Sequence, residues 1–237
     1  MQSRFALKPP FFTIGFKSYL GGIGESAVKM AKIAAELGRE TQIQVMVIPQ
    51  VADIYRISQN VDIPILAPHM DGVEPGGHNG AILAEAVKEA GAIGSLINHR
   101  DKRLTLSELY RIIRRSKQLN LITAVCADSP EQAEAIASLT PEIIVAEPPE
   151  LIGTRRAVST QDPGFITETL HLVKKRNPDI LVAFGGGIHS KADAAAAIRL
   201  GSDGTGASNA IINAKDPYNM LRGMLYGVKE EWRKLHK

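Results

Sequence analysis

The sequence predicts an α/β fold, a single (β/α)8 barrel filling residues 1–237, and three observations predict it. Eight short apolar runs rich in β-branched residues recur along the chain, segments with apolar residues at helical spacing separate them, and no Gly/Ser/Pro-rich linker interrupts the alternation. Strand starts advance by roughly 27 residues, the size of one βα unit, and eight such parallel units close most naturally into a barrel of typical length ~250 residues. An open doubly wound sheet is the alternative, but it would want a glycine fingerprint after the first strand, which this chain lacks.

The strand runs are 11–16 (FFTIGF), 43–48 (IQVMVI), 62–67 (DIPILA), 92–97 (AIGSLI), 121–126 (LITAVC), 142–146 (EIIVA), 180–184 (ILVAF) and, weakest, 203–207 (DGTGA). Helical spacing covers 24–37, 80–90, 105–119, 129–138, 163–176, 190–200 and 216–235. Thr105 with Glu108, and Ser129 with Pro130 and Gln132, read as capping boxes, in which a hydroxyl satisfies a free helix N–H and the later side chain reaches back. Ser190 opens the next helix, and Gly201 stops it by tolerating positive φ.

Composition narrows the function. With 28 Lys and Arg against 25 Asp and Glu, the net charge of +3 is too small and too dispersed to mark a nucleic-acid or membrane surface, while an anionic small molecule fits. No apolar run approaches the ~20 residues of a bilayer span, and residues 1–10 lack the features of a signal peptide, so a cytoplasmic protein is expected. Cys126 is the single cysteine and cannot form an intramolecular bridge. His69 and His78 sit in proline and glycine turns, which argues against a metal site.

In a barrel, chemistry gathers where strands end and loops begin. Lys17 follows the first strand, Asn98-His99-Arg100-Asp101 the fourth, Glu147 the sixth and Gly185-Gly186-Gly187 the seventh. Each has an ordinary alternative: a solvated lysine, a satisfied polar histidine, a carboxylate paired with an arginine. Glu150 competes with Glu147. The glycine triplet is the firmer sign, because backbone N–H groups without side chains can approach an oxyanion closely.

These residues lie in blocks that resemble the triosephosphate isomerase family, in particular its shorter archaeal-type branch. FKSY at 16–19, APHMD at 67–71, EAVKEAGAIGSLINH at 85–99, VC at 125–126, EPPELIGT at 147–154, GGI at 186–188 and AKDP at 214–217 carry the likeness along nearly the whole chain. The resemblance implies a cofactor-free aldose–ketose isomerase of glycolysis and gluconeogenesis, with a phosphorylated substrate and a self-associating subunit. Lys17 then corresponds to the substrate-binding lysine, His99 to the electrophilic histidine and Glu147 to the base. Residues 148–154 correspond to a hinged loop closing over substrate. Gly153, Arg155, Gly185, Gly186, Gly187, Asn209 and Ala210 would surround the phosphate. A neutral imidazole at His99, which the resemblance implies, would need its pKa lowered by the helix that follows, an arrangement known from that family.

The chain also departs from the family pattern. Gly15 stands where an asparagine is usual, Arg100-Asp101 replace Ser-Glu, Arg155 replaces the glycine that ends the loop motif, Asn209-Ala210 replace a Ser-Gly or Gly-Gly turn, and Asn79 replaces an interface threonine. Three readings follow: an isomerase of triose phosphate or of a related, longer sugar phosphate; a catalytically weak or silent barrel that binds a phosphorylated ligand or a partner protein; and a phosphate-binding lyase or synthase using Lys17 as a Schiff-base nucleophile.

Overall fold

The computed structural model describes residues 6–236. Residues 1–5, where the absence of a signal peptide and the start of the barrel domain were in part expected, lie outside the described residues. Eight parallel strands run β1 (Phe11–Gly15), β2 (Gln44–Ile48), β3 (Leu66–Ala67), β4 (Gly94–Ile97), β5 (Ile122–Ala127), β6 (Ile143–Ala146), β7 (Leu181–Phe184) and β8 (Gly204–Ala207). Their order is β2-β1-β8-β7-β6-β5-β4-β3. The ring closes through one parallel bridge, Val47 to Ile65, where the Val47 N–H donates to the Pro64 carbonyl at 3.0 Å.

Helices α1 (Gly24–Thr41), α2 (Ile54–Asn60), α3 (Ala84–Glu89), α4 (Leu106–Leu119), α5 (Pro130–Ala137), α6 (Val158–Gln161), α7 (Pro163–Arg176), α8 (Lys191–Arg199), α9 (Asn209–Ile212) and α10 (Pro217–Leu235) connect and jacket the strands. Period-two alternation divides the apolar residues into two layers. Phe11, Met46, Leu66, Ala124, Ile143 and Ala183 fill the barrel lumen. Phe12, Ile14, Val45, Val125, Ile144 and Val182 face the helices.

All eight expected strands are present, the third much shortened. Of the run 62–67 only Leu66 and Ala67 join the ladder, because Pro64 has no N–H to give and contributes only its carbonyl. Helix α3 starts at Ala84 instead of residue 80, since Gly80 takes φ +85° and the Ile82 N–H goes to the Asp71 carboxylate at 2.7 Å. The box at Thr105 is complete. That at Ser129 is half made: its hydroxyl accepts from the Gln132 N–H, but the Gln132 side chain accepts from the Asp128 N–H instead. Ser190 caps α8 through the Asp193 N–H, and Gly201 adopts φ +98°.

Candidate active site

The C-terminal strand ends surround a cavity of about 840 Å³ that descends into the lumen. Lys17, His99 and Glu147 line it together with Gly15, Gly153, Arg155, Gly185, Gly186, Gly187, Asn209 and Ala210. Glu150, which the sequence leaves in competition with Glu147, is exposed and does not line it. His69 is buried and pairs with Asp71 at 3.1 Å, whereas His78 is exposed in the 74–80 stretch. Among the described residues there is no cluster of His, Cys, Asp or Glu suited to a metal ion.

Glu147 keeps the register of β6. Ile143 and Val145 belong to the lumen layer, and two residues on, the carboxylate follows them inward. The β6–β7 register pairs Val145 with Ala183, which places Gly185 beside Glu147 one step further. A side chain at Gly185 would collide with the carboxylate, and the backbone of Gly186 lies close enough to the carboxylate to favour its charged form. Two of the three glycines therefore serve Glu147. Burial raises the Glu147 pKa, while Lys17 and Arg100 pull it down.

His99 reaches the cavity by breaking the register. On β4, Leu96 packs against the lumen layer and Ile97 faces the helices, so strict alternation would send residue 99 outward. Asn98 interrupts it with φ +61°. Its side chain holds that conformation by donating to the Cys126 carbonyl at 2.9 Å and accepting from the Leu104 N–H at 3.0 Å. Lys17 also has a positive φ, 49°, and its carbonyl accepts from Gln50 at 2.7 Å. Two non-glycine residues in the left-handed region, one in the trio and one just before a second member, are strain held in place by surrounding bonds.

His99 Nε2 lies 3.7 Å from Glu147 Oε2. On the other side of the ring, Nδ1 meets the Asp101 N–H at 3.3 Å and Asp101 Oδ2 at 3.1 Å. The His99 pKa is lowered by burial first and by Lys17 second, with Asp101 opposing. The helix following His99 is not the cause expected from the sequence. It starts only at Leu106, beyond the one-turn reach of a helix dipole.

The segment after Glu147 lies over the opening, with Leu151 and Ile152 buried and Ile152–Arg155 lining the cavity. Tight turns shape it: the Leu151 N–H donates to Pro148 O at 3.0 Å and the Thr154 N–H to Leu151 O at 3.1 Å.

A family model described as triosephosphate isomerase matches residues 10–224. The chain belongs to the triosephosphate isomerase family. It is 44% identical over 212 residues to the triosephosphate isomerase of Methanobacterium bryantii, covering 90% of this chain and 94% of that one. To the enzyme of Methanothermobacter thermautotrophicus it is 41% identical over 219 residues, with 92% and 96% covered. These archaeal relatives agree with the branch suggested by the sequence. A crystal structure of triosephosphate isomerase from Bartonella henselae superposes with a TM-score of 0.73 at 16% identity, covering 94% of this chain and all of that one, and shares the fold.

Within this triosephosphate isomerase site the departures from the family pattern have definite surroundings. A Cβ on Gly15 would lie 3.7 Å from the Ser208 side chain and 4.0 Å from Lys17 Cγ, ordinary contacts that admit a methyl group. Asp101 turns to His99 and Arg100. Sequence reasoning did not single out Ser208, whose hydroxyl donates to the Gly15 carbonyl at 2.5 Å, or Gln50 and Arg103, which brace Lys17 and Asn98. Only their places just beyond strand ends hinted at them. His189, also unremarked, lines the cavity and bonds to Gly187 O at 2.9 Å.

Proposed function

We propose that this chain interconverts dihydroxyacetone phosphate and glyceraldehyde 3-phosphate through an enediolate, needing no cofactor. The observation that carries this reading is the opposition of Glu147 and His99, 3.7 Å apart on the wall of one cavity that Lys17 also lines. Glu147 takes a proton from the carbon beside the carbonyl and returns it one carbon over. Its buried setting suits it, since a carboxylate whose pKa is raised is a stronger base at neutral pH. His99, kept neutral by burial and by Lys17, donates from Nε2 to the oxygen on which charge develops. Lys17 adds a fixed positive charge toward that oxyanion and the phosphate. Gly153, Arg155, the Gly185–Gly187 turn, Asn209 and Ala210 surround the phosphate, and the 148–154 segment acts as a lid that excludes water.

The retained trio favours this activity over a silent barrel and over Schiff-base chemistry. The chain works as a single barrel domain, in the cytoplasm, and as a homo-oligomer. Supporting these are the continuous strand ring, the absence among the described residues of any helix long and apolar enough to cross a membrane, and the exposed 74–80 stretch available to a neighbouring subunit. The test is to incubate the protein with glyceraldehyde 3-phosphate in deuterated water. Deuterium at carbon two is expected, and a complete absence of exchange would overturn the assignment.

A further inference from the structure

Arg100 stands where the lid meets the histidine loop. Its Nη1 donates to the Pro149 carbonyl at 2.6 Å, across 49 residues of sequence, at the hinge directly after Glu147. Its Nε lies 3.5 Å from Asp101 Oδ1, and the other oxygen of that carboxylate lies 3.1 Å from His99 Nδ1. One guanidinium thus touches the lid hinge and, through a single side chain, the ring of His99.

Nδ1 of His99 faces two groups that ask opposite things of it. The Asp101 N–H at 3.3 Å requires Nδ1 to accept, which leaves the proton on Nε2. The Asp101 carboxylate at 3.1 Å requires Nδ1 to donate, which gives either the wrong neutral tautomer or an imidazolium. We propose that Arg100 is a positioning residue that settles this contest, drawing off the Asp101 charge so that His99 keeps its proton on Nε2, while the same guanidinium seats the lid by holding Pro149. The proposal rests on the reading of His99 as a neutral donor.

The remaining charged groups around the ring cannot do this work. Lys17 and Arg103 also oppose charging of His99, whereas Glu147 lies at Nε2 and favours it. Arg103 is committed, donating to Asn98 O at 2.9 Å and pairing with Asp128. Lys17 belongs to the substrate side of the cavity. Among the described residues only Arg100 contacts both the Asp101 carboxylate and Pro149, and a guanidinium directs its donors along fixed, divergent lines where an ammonium is a point charge on a flexible stem.

The test combines histidine ¹⁵N NMR with kinetics on the full chain. In the unmodified protein His99 should show the Nε2–H tautomer near pH 7. Arg100→Gln keeps a donor for Pro149 but removes the charge. It should shift His99 toward the Nδ1–H or charged form, move the acid limb of the kcat/KM profile to higher pH and lower kcat roughly 10-fold, part of what one general acid supplies. Adding Asp101→Asn should restore the tautomer. Arg100→Lys keeps the charge without the fork, so it should retain the tautomer and raise KM. A wild-type tautomer and pH profile in Arg100→Gln, or a shift that Asp101→Asn does not reverse, would overturn the proposal. If the tautomer shifts as expected in a protein that never exchanges deuterium into triose phosphate, the coupling stands and the isomerase reading fails.

Discussion

Gly185 leaves no space between its backbone and the carboxylate of Glu147: a methyl group there would lie 1.8 Å from Oε1 and 2.8 Å from the carboxyl carbon. The glycine is what allows the side chain its place against β7. Because the colliding atoms belong to the far end of a flexible side chain, Gly185→Ala should displace the carboxylate and spare the fold. The expected result is a kcat at least ~100-fold lower, with the unfolding free energy moving by no more than about 1 kcal/mol. Steady-state kinetics beside urea unfolding check both halves. Gly187→Ala makes the contrast, since its Cβ would meet the Arg156 carbonyl at 1.9 Å and the backbone there has φ +75°. That variant should lose stability.

Glu147→Asp withdraws the carboxylate by about a methylene. Turnover should fall at least ~100-fold, since a misplacement of ~1 Å can cost that much. Turnover equal to the unmodified protein's would remove Glu147 from the mechanism.

The raised pKa of Glu147 also predicts a dependence of stability on pH. A folded protein that holds this proton more tightly than the unfolded chain does is favoured below the ordinary glutamate value, ~4.3, and loses that advantage as pH rises through the raised value. Glu147→Gln removes the loss. Its melting temperature should exceed that of the unmodified protein at pH 8, and the gain should vanish toward pH 4. A melting temperature lowered equally at both pH values would contradict a raised Glu147 pKa.

Gly15→Asn should be accommodated, since a Cβ there makes only ordinary contacts with Ser208 and Lys17 and residue 15 lines the cavity. Residue 15 lies two positions before Lys17 on the lumen side of β1, so an amide there is placed to donate to the substrate oxygen that His99 polarises. One well-placed donor of this kind is worth about 10²–10³ in rate, and triose-phosphate turnover should rise accordingly. A flat response, with good isomerisation of a four- or five-carbon sugar phosphate by the unmodified protein, would make Gly15 a specificity device for the longer chain.

Much of this architecture was legible in the residues. Most of the strands were, because they are short, largely buried runs rich in β-branched residues, whereas β8, GTGA, has only Thr205 of that kind and was marked mainly by its place in the βα spacing. Helix α2 was not: among its seven residues only Ile54 and Ile57 are buried, no side chain caps it, and so small an apolar stripe does not stand out. The four-residue helices α6 and α9 are single turns whose sequences, VSTQ and NAII, carry no periodicity to read. In the site, Glu147 and Lys17 could be placed because they continue the alternation of their strands. The direction of His99 could not, because it depends on a positive φ at Asn98 and on two bonds made across to other segments. The close approach of Gly185 to the Glu147 carboxylate was equally hidden, since it follows from how β6 and β7 are staggered.

The single bridge that closes the ring gives the barrel a seam. Between β2 and β3 the strands meet only through Val47 and Ile65, while every other neighbouring pair is joined by a ladder. The proposed catalytic trio follows β1, β4 and β6, and none of its members follows either strand at the seam. Acid, base and cation therefore stand on one unbroken run of ladders from β1 through β8 to β4, and the seam reaches them through the side chain of Gln50, after β2, whose amide donates to the Lys17 carbonyl.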